Sequence, residues 1–97
     1  MQPSLRFPVS STLRAALSAW TKLFADAHGS KNIRMNNILP GSFENYTASS
    51  EQLDAIPLRR QGRMDELGRV VAFLASDDAA YITGQNIRID GGLARPL

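Results

Sequence analysis

Few side chains in this sequence could do chemistry, and their types restrict what that chemistry is. Hydroxyls gather at Ser10, Ser11 and Thr12, and a phenol stands apart at Tyr46. An alkyl hydroxyl is a far weaker acid than a phenol, so a serine acting as general acid needs a relay behind it. At a helix start the same residues serve as caps. Arginines crowd at Arg59, Arg60 and Arg63, and the sole histidine, His28, falls at the end of a helical pattern, where a positive charge suits the helix dipole. Cysteine is absent, which excludes disulfides and thiolate metal ligands. With one imidazole, a transition-metal site would need clustered carboxylates, and none cluster, so no metal is expected.

Composition narrows the class further. Eleven basic and nine acidic residues leave a net charge of +2, a small imbalance and no polycationic surface. The arginine stretch has no interleaved aromatics on which bases could stack, so it reads as a solvated loop with arginines available for ion pairs, and no nucleic-acid partner is expected. Residues 1–8 hold two prolines and no continuous apolar run, so they do not read as a signal peptide, and no segment is long and apolar enough to span a membrane. The cytoplasm is the expected location. No glycine-rich phosphate turn occurs anywhere, so a dinucleotide's pyrophosphate has no cradle here.

The elements that must position these groups follow from periodicity. From Ser10, the residues Leu13, Ala16, Leu17, Trp20, Leu23, Phe24 and Ala27 recur at the spacing of one apolar helical face, capped by Ser10, Ser11 or Thr12 and stopped by Gly29 in a left-handed conformation. Asn32 to Leu39 predicts a strand ended by Pro40-Gly41. The polar stretch 42–63 lacks sustained periodicity and predicts a long functional loop with a short helix near Ser50 to Ala55. Met64 to Ser76 predicts a second amphipathic helix, and Gln85 to Asp90 a second strand closed by Gly91-Gly92. A strand-helix-strand unit of this length implies parallel pairing, hence α/β architecture. Two strands need neighbours to satisfy their edges, and a doubly wound fold supplies them from an N-terminal half.

The ordered set Ile56-Pro57-Leu58, Gly62-Arg63, Phe73-Leu74-Ala75-Ser76-Asp77, Tyr81-Ile82-Thr83-Gly84-Gln85 and Asp90-Gly91-Gly92 resembles the closing helix, turn and last strand of short-chain dehydrogenase/reductases. So does Ile33-Arg34-Met35-Asn36 with Pro40-Gly41 upstream, and the resemblance runs from about Ser10 to Leu93. It implies that residues 1–97 are a single partial domain, the C-terminal portion of a Rossmann-like sheet, with 42–63 as the substrate loop.

The resemblance also implies a site. The family's tyrosine and lysine, four positions apart, fall on Ser10 and Arg14, so both are replaced here. Arg14 keeps a charge and several donors for ribose hydroxyls, but its planar, always-charged fork mimics a tunable ammonium poorly. Pro40-Gly41-Ser42-Phe43 corresponds to the turn that lays its backbone against the nicotinamide carboxamide of NAD or NADP. That role agrees with the rule that ligands bind beyond strand carboxyl ends, and a plain strand-ending turn is the alternative. Tyr46 lies on the loop that covers the family's active site. The implied function is a portion of an NAD(P)-dependent oxidoreductase for a small-molecule substrate, inactive alone and joined to a second copy or to the missing half. The alternative is a non-catalytic dimerisation module that uses Leu17, Trp20 and Phe24.

Overall fold

The computed structural model describes residues 8–95, so the expectation that residues 1–8 are no signal peptide falls, but for Pro8, outside them. The order is α1 (Pro8–His28), β1 (Asn37–Pro40), α2 (Ser50–Ala55), α3 (Met64–Ala75) and β2 (Asn86–Ile89), with 3-10 turns at Gly29–Lys31 and Asp77–Ala79. β1 and β2 pair in parallel, with Asn37 opposite Asn86 and Pro40 opposite Ile89. This is the α/β arrangement that the crossover length predicts.

The sequence expectation and the structure differ in three places. The strand expected over 32–39 starts only at Asn37, because residues 34–36 spend their polar groups on the segment before β2. Arg34 donates to the carbonyls of Ile82 and Ser76. Met35 exchanges bonds with Thr83 Oγ1 and the Gly84 amide, and Asn36 takes the Gln85 N–H while donating to the Ile82 carbonyl. Their neighbour Ile33 is exposed. Gly29 does not close α1 in the left-handed region: it begins a 3-10 turn, and the left-handed residue is Asn32, at φ 59°.

Ser10 is not a cap either, since α1 already includes Pro8 and Ser10 lies inside its first turn. The ends of stretch 42–63 are tied together by a bridge between Phe43 and Gly62. The short helix expected inside it is there as α2, with a full capping box between Ser49 and Gln52.

The interior is thin. Ala25, Phe43, Ile56, Leu74 and Ala79 form its apolar part, with Thr21 fully buried and bonded to the Leu17 carbonyl at 2.8 Å. α1 seats through its small residues: a Cβ on Gly84, whose own φ is +72°, would stand 3.2 Å from Ala25 Cβ. Only small side chains permit that approach, so the large apolar residues are left on the flank. Leu13, Leu17, Trp20 and Leu23 are all exposed, Trp20 to 57%. Trp20, Phe24 and His28 stack in sequence along that flank, with Phe24 and His28 ring centroids 4.3 Å apart. The chain exposes 7238 Å², where about 5,500 Å² is expected of a compact monomer of its mass.

The 34–36 and 82–85 stitch holds the sheet in register, so Asn36→Ala, which removes two bonds of a half-buried side chain, is expected to cost about 1–2 kcal/mol. Urea denaturation followed by circular dichroism measures it. A loss below about 0.5 kcal/mol would show that the two strands hold without it.

Candidate functional site

The turn after β1 is built by close backbone approach. Gly41 N–H donates to the Ile89 carbonyl at 2.8 Å, and a Cβ on Gly41 would sit 2.6 Å from Asp90 Cβ. Only glycine allows the turn to lie against the end of β2. Asp90 in turn caps the chain's exit, its carboxylate accepting the amides of Gly92 and Ala94, while Gly91 and Gly92 both adopt positive φ.

From that turn, the chain is zipped to the far end of the 42–63 stretch. Gly62 N–H donates to the Ser42 carbonyl and Glu44 N–H to the Gly62 carbonyl, each at 3.0 Å. In such a parallel bridge the intervening Phe43 N–H faces away from Gly62. The Phe43 ring itself is buried against Gly62, where a Cβ would meet it at 2.5 Å. Phe43 can therefore offer a ligand its backbone but not its side chain. Glu44 reaches on to accept the Met64 amide at 3.0 Å, which caps the start of α3.

Gln61 ties the same segment by its side chain. Its Nε2 stands 3.0 Å from Ser42 Oγ, 2.9 Å from the Phe43 carbonyl and 2.9 Å from the Tyr46 carbonyl. Tyr46 donates its phenol proton to Ser42 Oγ at 3.1 Å. Ser42, Phe43, Leu58, Arg60 and Asp90 line a cleft of about 420 Å³, its open mouth included.

The arginine stretch is paired, not free. Arg60 grips Glu66 through two bonds of 2.7 and 3.0 Å, Arg59 lies 3.6 Å from Asp54, and Asp65 is held by Arg63 and Arg69. Arg60, and then the Arg63 amide, hold the Glu66 carboxyl down to about 2 from its ordinary 4.5. The Arg69 bond, with help from Arg63, lowers Asp65 likewise. Among the described residues, Arg59 is also one of two non-glycine residues at positive φ, at 59°. Among the described residues no cluster of three or more metal-binding side chains occurs, and no helix is long and apolar enough to cross a membrane.

The structure brings together Pro40, Gly41, Ser42 and Phe43 at the carboxyl end of the paired strands, with Tyr46 beside Ser42. Ser10 and Arg14 lie one turn apart on α1, both exposed, and no hydrogen bond or ion pair joins either to that turn. Sequence reasoning missed Gln61 and Glu44. A lone glutamine with no periodic or charged context gives no signal, whereas Glu44, twenty residues before a helix start, becomes a cap only once the loop folds back.

The chain matches the family described as enoyl-(acyl carrier protein) reductase over residues 6–94. It is 39% identical over 88 residues to a 3-oxoacyl-(acyl-carrier-protein) reductase of Chlamydia trachomatis, covering 84% of this chain and 36% of that protein. It is 40% identical over 87 residues to the enzyme of the same name from Thermotoga maritima, covering 82% and 35%. Among solved structures, a short-chain dehydrogenase from Bacillus anthracis superposes with a TM-score of 0.81 at 34% identity, over 89% of this chain and 36% of the other. YwfH, an NADPH-dependent reductase involved in bacilysin biosynthesis, gives 0.82 at 32% identity, over 90% and 40%. The chain thus spans little more than a third of the length of the relatives it matches.

Two measurements check the electrostatics and strain. A depressed carboxyl contributes stability fully above its unfolded value of 4.5, and that contribution is lost as pH falls toward about 2. The stability gap between the native chain and Glu66→Gln is therefore expected to close over that window, read by thermal melts at stepped pH. Arg59→Gly relieves a left-handed residue and is expected to raise stability by about 1 kcal/mol in the same melts, since the long, exposed pair with Asp54 that it removes contributes little.

Proposed function

Because the chain belongs to the short-chain dehydrogenase/reductase family and matches a C-terminal part of it, we propose that it supplies the nicotinamide-side turn and the substrate loop of an NAD(P)-dependent oxidoreductase. The observation that carries this reading is the turn 40–43, seated by Gly41 against the end of β2, beyond the carboxyl ends of two parallel strands. The groups there fit one end of a dinucleotide. Phe43 N–H faces away from its bridge partner, Ser42 opens on the cleft, and both suit a carboxamide. When bound, a reduced nicotinamide supplies hydride to a small carbonyl substrate. The chain's own residues hold and orient it: Pro40 and Gly41 shape the turn, Ser42 and Phe43 contact the ring amide, and Arg14 holds ribose hydroxyls. The 42–63 loop borders the substrate. The pyrophosphate cradle must come from another segment, so the chain is inactive alone, and its expected place is the cytoplasm.

Ser10 occupies the proton donor's position and cannot serve as one without help. Grafting the chain in place of the matching third of a complete relative tests this. Ser10→Tyr with Arg14→Lys is expected to raise ketone reduction by the chimera about 10²–10⁴-fold, the usual contribution of a positioned acid. An unchanged rate would remove both positions from the site.

A second reading, a non-catalytic assembly module pairing with a second copy, draws on the exposed stripe of Leu13, Leu17, Trp20 and Leu23. Titration with NADP and NAD, followed by amide shifts at Gly41 to Phe43, separates the two. Shifts there favour the first reading, and a dimer in sedimentation without any shift favours the second.

A further inference from the structure

The polar cluster beneath the turn is more constrained than a strand-ending turn requires. A carboxamide nitrogen carries two hydrogens, yet Gln61 Nε2 faces three acceptors at 2.9–3.0 Å, so it is saturated and shares at least one hydrogen. Two of these acceptors are backbone carbonyls, of Phe43 and Tyr46, and the third is the Ser42 hydroxyl. Ser42 Oγ also receives the Tyr46 proton at 3.1 Å. With both lone pairs of the serine oxygen engaged, its own hydrogen has one direction left, away from the two donors. Ser42 lines the cleft.

Resting on the nicotinamide-turn reading, we infer that Gln61 is a positioning residue. Its carboxamide locks 42–46 against the loop's far end, and with Tyr46 it forces the Ser42 hydroxyl to act as donor toward a carbonyl or carboxamide oxygen in the cleft. Ser42 is the contact and Gln61 sets its polarity. The Phe43–Gly62 bridge fixes the backbone of the same segment, so the side-chain clamp and the backbone bridge hold one geometry from two sides.

The test uses the chain itself, with nicotinamide mononucleotide as probe. Gln61→Glu keeps the shape but turns the donor into a carboxylate facing three oxygens, while Gln61→Met keeps bulk and has no proton to gain. At about pH 7.5, Gln61→Glu is expected to lose about tenfold in hydrogen-exchange protection at Glu44 and Gly62, and about tenfold in probe affinity, as removing one charge-opposed hydrogen bond implies. Near pH 4 the carboxyl takes up a proton and regains one donor. Most of both losses should then return for Gln61→Glu and not for Gln61→Met. The native chain at both pH values controls for Glu44, Arg60, Arg63, Glu66 and Asp90 around the loop. Protection at Gly84 and Gln85, in the remote stitch, reports that each variant is folded.

Native protection and affinity in Gln61→Glu at neutral pH would overturn the inference. So would equal losses in both variants with no recovery in acid, since that pattern means packing alone. A native chain that does not respond to the probe defeats the nicotinamide reading instead. The ligand-free exchange comparison still decides whether the clamp exists.

Discussion

Everything in this molecule depends on the side-chain stitch between residues 34–37 and 82–86. Two four-residue parallel strands have too few ladder bonds to hold a register by themselves. Arg34, Asn36 and Thr83 supply what the ladder lacks, by binding backbone groups of the opposite segment. The stitch also aligns the ends of the strands. The Gly41 amide meets the Ile89 carbonyl only because Asn37 and Asn86 are already opposite each other.

The site is a consequence of that alignment. Once Gly41 lies against Asp90, the turn must leave the sheet in one direction, and Ser42 to Glu44 come alongside Gly62. The 42–63 stretch then behaves as a closed loop whose two ends are bonded together, with Gln61 inside and Glu44 capping α3 outside. The dense ion pairs at the start of α3 add local order more than stability, since exposed pairs contribute little. Each arginine of the stretch is matched to a carboxylate, which leaves its guanidinium committed within the fold.

Much was legible beforehand, and for identifiable reasons. The start of α3 and the parallel pairing follow from local signals, acidic residues in a first helical turn and a crossover too long for a hairpin, and α2 falls where a short helix was expected. The orientation of α1 was not legible. Its apolar periodicity marks a helix correctly, but the face that packs is the one carrying Thr21 and Ala25. Hydrophobicity says which face gains from burial, while close approach to Gly84 decides which face fits. The same gap explains β1, where alternation at Ile33 and Met35 suggests a strand although the polar neighbours, bonded sideways, delay the ladder until Asn37.

The sequence alone determined the architecture and the family, because periodicity, turn residues and motif order are properties of the chain read in line. Only the tertiary structure decided that Gln61, Ser42 and Tyr46 form one cluster, that Phe43 offers its backbone while burying its ring, and that Glu44 caps a helix twenty residues away. Those pairings join residues far apart in sequence with no periodic relation between them. A hydrogen bond depends on distance and angle in space, and neither exists until the loop has closed on the sheet.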